Sequence, residues 1–238
     1  MTQPALDIVG VAKQYGGLRP LRLERLTIHA GDQVALVGFD QAAAETMTAL
    51  VTGAALPDTG GVSLFGRSTR DVQNATEWLS YIDQIGVVTV RSALLESLSV
   101  IQNLSMPFTL EIEPPPDDIR TAAGALAREV GISEDAWDQP IARLDRAAQI
   151  RVRLARALAL EPRLLILEHP NAYIDHAQAR AFAADLRALA RRRRLATLLV
   201  TADADFAAAA ATRVLRWEPA TGVLHERRGW FFRRGVFS

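Results

Sequence analysis

The chain has 238 residues, 27 basic against 27 acidic, and no cysteine. That length suits one large α/β domain, the neutral balance argues against bulk nucleic-acid binding, and the missing thiols exclude disulfides, thiol catalysis and cysteine-ligated metal. Four histidines are too few to predict a histidine-rich metal site. No run of about 18 apolar residues predicts a membrane span, and MTQPALDIVG reads as no secretory signal. Lys13 is the only lysine, so chemistry that needs a lysine rests on it.

Apolar runs bounded by turn residues predict strands over 5–12, 21–28 and 33–37. Residues 41–52 follow as a helix closed by Gly53, a residue suited to left-handed backbone. A strand is predicted over 62–66, after the turn-rich Pro57-Asp58-Thr59-Gly60-Gly61, and a buried one over 84–90. Residues 96–107 are helix-prone up to Pro107, and Pro114-Pro115-Pro116 makes a stiff break. Ile119, Leu126 and Val130 then mark an amphipathic helix ending at Gly131. An arginine-rich helix over 146–160 leads to a strand over 164–167, and a long helix over 176–193 to a strand over 195–201. Residues 213–217 and 222–226 form a terminal hairpin. Strands alternating with helices predict a mostly parallel sheet covered on both faces.

A strand that ends in glycine and opens into a helix is a common phosphate-binding geometry, because the first amides of the helix point at the anion. Strand 33–37 with Gly38 has that form. Beyond it come Leu144, Leu154-Ala155-Arg156-Ala157-Leu158, the apolar run before Glu168-His169-Pro170, then Tyr173-Ile174-Asp175 and Val200-Thr201-Ala202-Asp203. In order and spacing the chain resembles the ATP-binding subunit of ABC transporters over about residues 5–225. The resemblance implies an α/β fold: a P-loop NTPase-like, mostly parallel sheet flanked by helices, with an N-terminal antiparallel β layer and a helical subdomain over about 92–150. It implies a single domain over 1–226, ATP and magnesium as ligands, and a membrane permease as partner. A homodimer, or a heterodimer with another ATP-binding subunit, at the cytoplasmic face of a membrane is also implied. Leu94 to Phe108 resembles the lipid- or lipoprotein-export branch.

The residues depart from the family's pattern where the chemistry lies. In G-x-x-x-x-G-K-[S/T] the amides and lysine hold phosphates, and the hydroxyl holds magnesium. Here Gly38 is kept and Asp40 lies inside the loop, but Ala43 replaces the second glycine, Ala44 the lysine and Glu45 the hydroxyl, with Thr46 one place late. By the same resemblance Val90 stands for a glutamine, Glu168 for the metal-associated aspartate, His169 for the catalytic glutamate and Ala202 for the switch histidine. The signature segment reads Leu144-Asp145-Arg146-Ala147-Ala148, with side chains where two glycines allow close approach. Asp175 is retained, and Tyr15 stands where an aromatic would stack on adenine.

These substitutions predict a degenerate subunit, structural or regulatory, with nucleotide binding and hydrolysis weakened or lost. Glu45 is expected to occupy the anion niche at the helix N-terminus, where a carboxylate about 4 Å from a phosphate charge costs about 4 kcal/mol at an effective dielectric near 20. An active ATPase with Glu168 on the metal and His169 as base is the alternative, and a soluble interaction module is another. Arg191-Arg192-Arg193-Arg194 reads as a solvated helix end, where cations suit the dipole. The tail over 227–238 mixes arginines with Trp230, Phe231 and Phe232, a composition that suits a membrane interface, a partner groove or folding back onto the domain.

Overall fold

The computed structural model describes residues 3–226. In chain order the elements are β1 (Leu6–Lys13), β2 (Leu21–Ile28), β3 (Gln33–Val37), α1 (Gln41–Val51), β4 (Thr59–Leu64), β5 (Arg67–Ser68), α2 (Ala75–Ile82) and β6 (Ile85–Thr89). There follow α3 (Val100–Ser105), α4 (Asp117–Glu129), α5 (Arg146–Leu158), β7 (Leu164–Glu168), α6 (His176–Arg193), β8 (Ala196–Thr201), α7 (Ala204–Ala210), β9 (Arg213–Trp217) and β10 (Leu224–Glu226).

Two sheets form. The larger has the order β10-β9-β3-β8-β7-β6, parallel throughout except for the antiparallel β9–β10 hairpin at its edge. The smaller is antiparallel, in the order β2-β1-β4-β5. The central strands are buried on both faces, so alternate residues feed two cores. Ala35, Val37, Leu165, Leu167 and Leu199 face the cluster built by α3 to α7. Val34, Leu36, Leu164, Ile166 and Leu198 face the cluster shared with α1 and the antiparallel sheet. From 92 to 150 the backbone is helices and turns, joined by a single bridge between Ser99 and Pro140.

Several expected boundaries shift. The stretch Thr59-Gly60-Gly61 is strand and not turn: it pairs with β1, where a Cβ on Gly60 would lie 2.3 Å from the Gly10 carbonyl oxygen. The turn falls instead at Phe65-Gly66, both with positive φ, so the strand expected over 62–66 ends at Leu64. The 96–107 segment yields a helix of only 6 residues, started by the Ser99–Gln102 capping box. Two helices went unanticipated, α2 and α7, although Asn74 and Asp203 cap them as such residues should. The arginine run is not wholly solvated: Arg193 forms an ion pair with Glu129, and its Nη1 donates to the Leu158 carbonyl. The basic-aromatic tail over 227–238 lies outside the described residues.

Candidate functional site

The C-terminal ends of β3, β6, β7 and β8 converge on one edge of the parallel sheet, opposite the N-terminus of α1. Gly38 makes the turn out of β3 at φ +101°, and a Cβ there would meet the Trp217 carbonyl at 3.2 Å. Phe39 is driven inward and stacks on the Trp217 ring with centroids 4.2 Å apart. Asp40 then caps α1: its carboxylate accepts from the Ala43 amide at 2.8 Å. Ala43 and Ala44 are fully buried in the second core, and the Thr46 hydroxyl turns back to the Ala42 carbonyl at 2.8 Å. Tyr15 flanks this turn, half-buried; burial first and the Asp40 charge second push its phenol above the ordinary tyrosine value. Lys13 is elsewhere, with its ammonium 2.9 Å from Asp58 on the antiparallel sheet.

The anion niche of α1 is therefore filled by Asp40, not by Glu45 as expected. Glu45 faces sideways, toward Arg91 at 3.3 Å. Glu168, at the end of β7, is fully buried. Its Oε1 accepts from Gln41 at 2.9 Å, from Thr89 at 3.2 Å and from Arg91 at 3.1 Å. Its Oε2 accepts from Arg91 at 2.9 Å and Thr48 at 3.2 Å. Gln41 also donates to Glu45 at 2.9 Å, so one carboxamide and one guanidinium both bridge the two carboxylates.

Arg91 and Gln41 are the residues that sequence reasoning missed. Val90 is half-buried and lines a neighbouring cleft, while the next residue supplies the charge. The sequence shows only an arginine just after the apolar run over 84–90 and an acid just after the run over 164–167; that the two meet is decided by the fold. The Arg91 loop is gripped from α5, where Arg153 donates to the Ser92 carbonyl at 3.0 Å and Arg156 to the Ala93 carbonyl at 2.6 Å.

His169 adopts φ +43° in the turn after β7, with its amide on the Val200 carbonyl at 2.8 Å. Its Nε2 is buried and has no hydrogen-bond partner among the described residues. Ala202 is exposed and carries no polar group; beside it Thr201, Asn171 and Asp203 form their own chain of hydrogen bonds at 3.0 and 3.1 Å. Asp145 and Asp175 cap α5 and α6, accepting from the amides of Ala148 and Gln178 at 2.7 and 2.9 Å. The Gln178 carboxamide reaches back to Asp145 at 2.9 Å, which ties the 144–148 segment to the 173–175 turn. Leu144 packs on the first core, Ala147 is buried, and Arg146 lines a cleft of about 270 Å³ with Val90, Ile150, Arg153 and Tyr173. Among the described residues no three His, Cys, Asp or Glu side chains converge as a metal-ligand set, and no helix is long and apolar enough to cross a membrane.

A glycine turn from the central parallel strand into a helix, with an antiparallel layer on one side and helices on the other, defines an ATP-binding-cassette fold. It superposes on cbiO1 from Clostridium perfringens, part of the ABC transporter complex cbiONQ, with a TM-score of 0.78 at 20% identity over 94% of this chain and 87% of that one. A dimeric bacterial ABC transporter cassette matches with a TM-score of 0.76 at 21% identity, over 94% of this chain and all of the other. The ABC transporter family model matches residues 21–172. The chain is 32% identical over 231 residues to the aliphatic sulfonates import ATP-binding protein SsuB of Cupriavidus pinatubonensis, covering 95% of this chain and 71% of that protein. It is 33% identical over 199 residues to the sulfate/thiosulfate import ATP-binding protein CysA of Gloeobacter violaceus, covering 83% of this chain and 55% of the relative. The chain belongs to the ABC transporter family, as an ATP-binding domain.

Proposed function

We propose that the chain is the ATP-binding-cassette subunit of a membrane transporter in which nucleotide turnover has lapsed, leaving a structural or regulatory role. One observation carries this reading. The Asp40 carboxylate takes the Ala43 amide at 2.8 Å, so the α1 N-terminus already holds an anion of the chain's own. A phosphate would meet that charge without a lysine to offset it, since position 44 is a buried alanine. Magnesium fits no better: the hydroxyl position is Glu45, and Glu45 and Glu168 are both engaged with Arg91.

The reading with Glu168 on a metal and His169 as base gains little support. Both oxygens of Glu168 accept from protein donors, and a general base must reach the proton it takes, whereas His169 Nε2 is closed off from solvent. The partner is a permease that this subunit docks against from the cytoplasmic side, as a homodimer or beside a second ATP-binding subunit. Nucleic acid is not a partner. Relatives named for sulfonate and sulfate import support an import assembly over the export branch. The helical subdomain over about 92–150 is the face we assign to the permease.

Millimolar MgATP tests the reading by thermal melting. A ligand at 100 times its dissociation constant adds about 2.7 kcal/mol, which raises the melting point of a chain this size by roughly 5–10 °C. We expect a shift within about 1 °C, as binding weaker than the ligand concentration gives. A reproducible rise of several degrees, or magnesium-dependent hydrolysis lost in His169→Ala, overturns it.

A further inference from the structure

We propose that Arg91 is a tethered cation filling the place a divalent ion would take between Glu45 and Glu168. The inference rests on the lapsed-turnover reading and deepens it: at the junction of α1, β6 and β7 the positive charge comes from within the chain.

Burial is the first argument. Glu168 has no solvent exposure, and a carboxylate held there without an opposite charge is strongly destabilising. The Arg91 guanidinium supplies that charge, with one nitrogen, Nη2, on both Glu168 oxygens at 2.9 and 3.1 Å and the other, Nη1, on Glu45 at 3.3 Å. A hard divalent cation between two carboxylates has the same arrangement, oxygens of separate elements drawn to one positive centre. The difference is that guanidinium and carboxamide N–H groups only donate. With Arg91 in place the ion would meet a fixed positive charge and carboxylate oxygens already accepting hydrogen bonds.

The anchoring of the loop is the second argument. An arginine on a free loop would lose side-chain and backbone entropy on reaching inward. Here the Arg91 amide donates to the Thr89 hydroxyl at 3.3 Å. Arg153 and Arg156 hold the carbonyls of Ser92 and Ala93 just beyond it. The cation is thus set in position from both sides, and Gln41 completes the bridge between the carboxylates.

Manganese chloride without nucleotide tests this on the full chain, reading bound Mn²⁺ by loss of the free-ion paramagnetic resonance signal and stability by melting. Wild type is expected to bind no Mn²⁺ at millimolar concentration and to melt unchanged. Arg91→Ala should melt several degrees lower, bind one Mn²⁺ per chain, and regain at least half of the lost melting temperature with the metal. Arg91→Lys keeps a positive charge and should bind none. In Arg91→Ala with Glu168→Gln the need for a cation disappears, so the protein should fold without metal and ignore it. If Arg91→Ala does not fold alone, Mn²⁺ present during refolding should restore its helical circular dichroism. Wild-type Mn²⁺ binding that Glu168→Gln abolishes overturns the proposal, as does an Arg91→Ala protein indifferent to Mn²⁺. These arms contain no nucleotide, so their failure is separate from failure of the lapsed-turnover reading, which only MgATP addresses.

Discussion

Replacing Asp40 by alanine is the sharpest probe of the self-filled anion niche. The substitution removes the acceptor 2.8 Å from the Ala43 amide and the negative charge at the start of the 11-residue helix α1. Losing an N-cap of this kind costs about 1 kcal/mol, and the charge–dipole interaction contributes about 0.3–1 kcal/mol more. A total near 1.5 kcal/mol lowers the melting point by roughly 3–6 °C for a chain of this length. Urea denaturation followed by circular dichroism should show the loss as an earlier midpoint at unchanged slope. Asp40→Asn keeps an acceptor and removes the charge, so it should lose only about a third as much. The freed amide should then accept an outside anion. Sodium sulfate should stabilise Asp40→Ala more than wild type, the comparison removing sulfate's general effect on burial. A loss below about 0.3 kcal/mol, or equal sulfate responses, would refute the claim that Asp40 fills the niche.

Three further outcomes follow from the same geometry. Ala44→Lys with Glu45→Ser restores two family side chains, but position 44 is fully buried; the pair should lose about 1–3 kcal/mol by overpacking and show no hydrolysis in a phosphate-release assay. Phe39→Ala removes a side chain stacked 4.2 Å from Trp217 and should cost about 3–5 kcal/mol in chemical denaturation. Tyr15 and Tyr81 both have phenols raised, by burial first. The unfolded chain therefore ionises before the folded one, and stability present below the ordinary tyrosine value should fall as pH rises through and beyond it; ultraviolet titration should show Tyr15 returning part-way in Asp40→Ala, since burial remains.

Local pattern made most of the architecture legible. The two-residue alternation in 33–37 and 164–168 sends side chains to two opposite cores, and the 3.6-residue pattern of 146–158 and 176–193 marks the covering helices. That positions 43–45 hold Ala, Ala and Glu is likewise plain in the residues themselves. The short elements were harder to read. In α2 and α7 the caps Asn74 and Asp203 were visible, but 8 and 7 residues hold too little periodicity to stand out. Thr59-Gly60-Gly61 has turn composition, yet it becomes strand because only glycine lets β1 and β4 approach so closely at Gly10.

The pairing of Glu45 and Glu168 with one arginine was settled by tertiary structure alone. Asp40 and Glu45 lie five residues apart, and both are acids near one helix end; Asp40 takes the amide as the N-cap three residues before Ala43, whereas the direction of Glu45 depends on a cation from a distant part of the chain. Arg91 draws Glu45 aside and joins it to Glu168, a partner 77 residues further on. Periodicity reports which face of an element is buried, because that choice is local and repeats along the chain. An ion pair between three elements has no repeat to report it: it exists only once the sheet order brings β6, β7 and α1 to one edge, where low dielectric makes each charge seek its opposite.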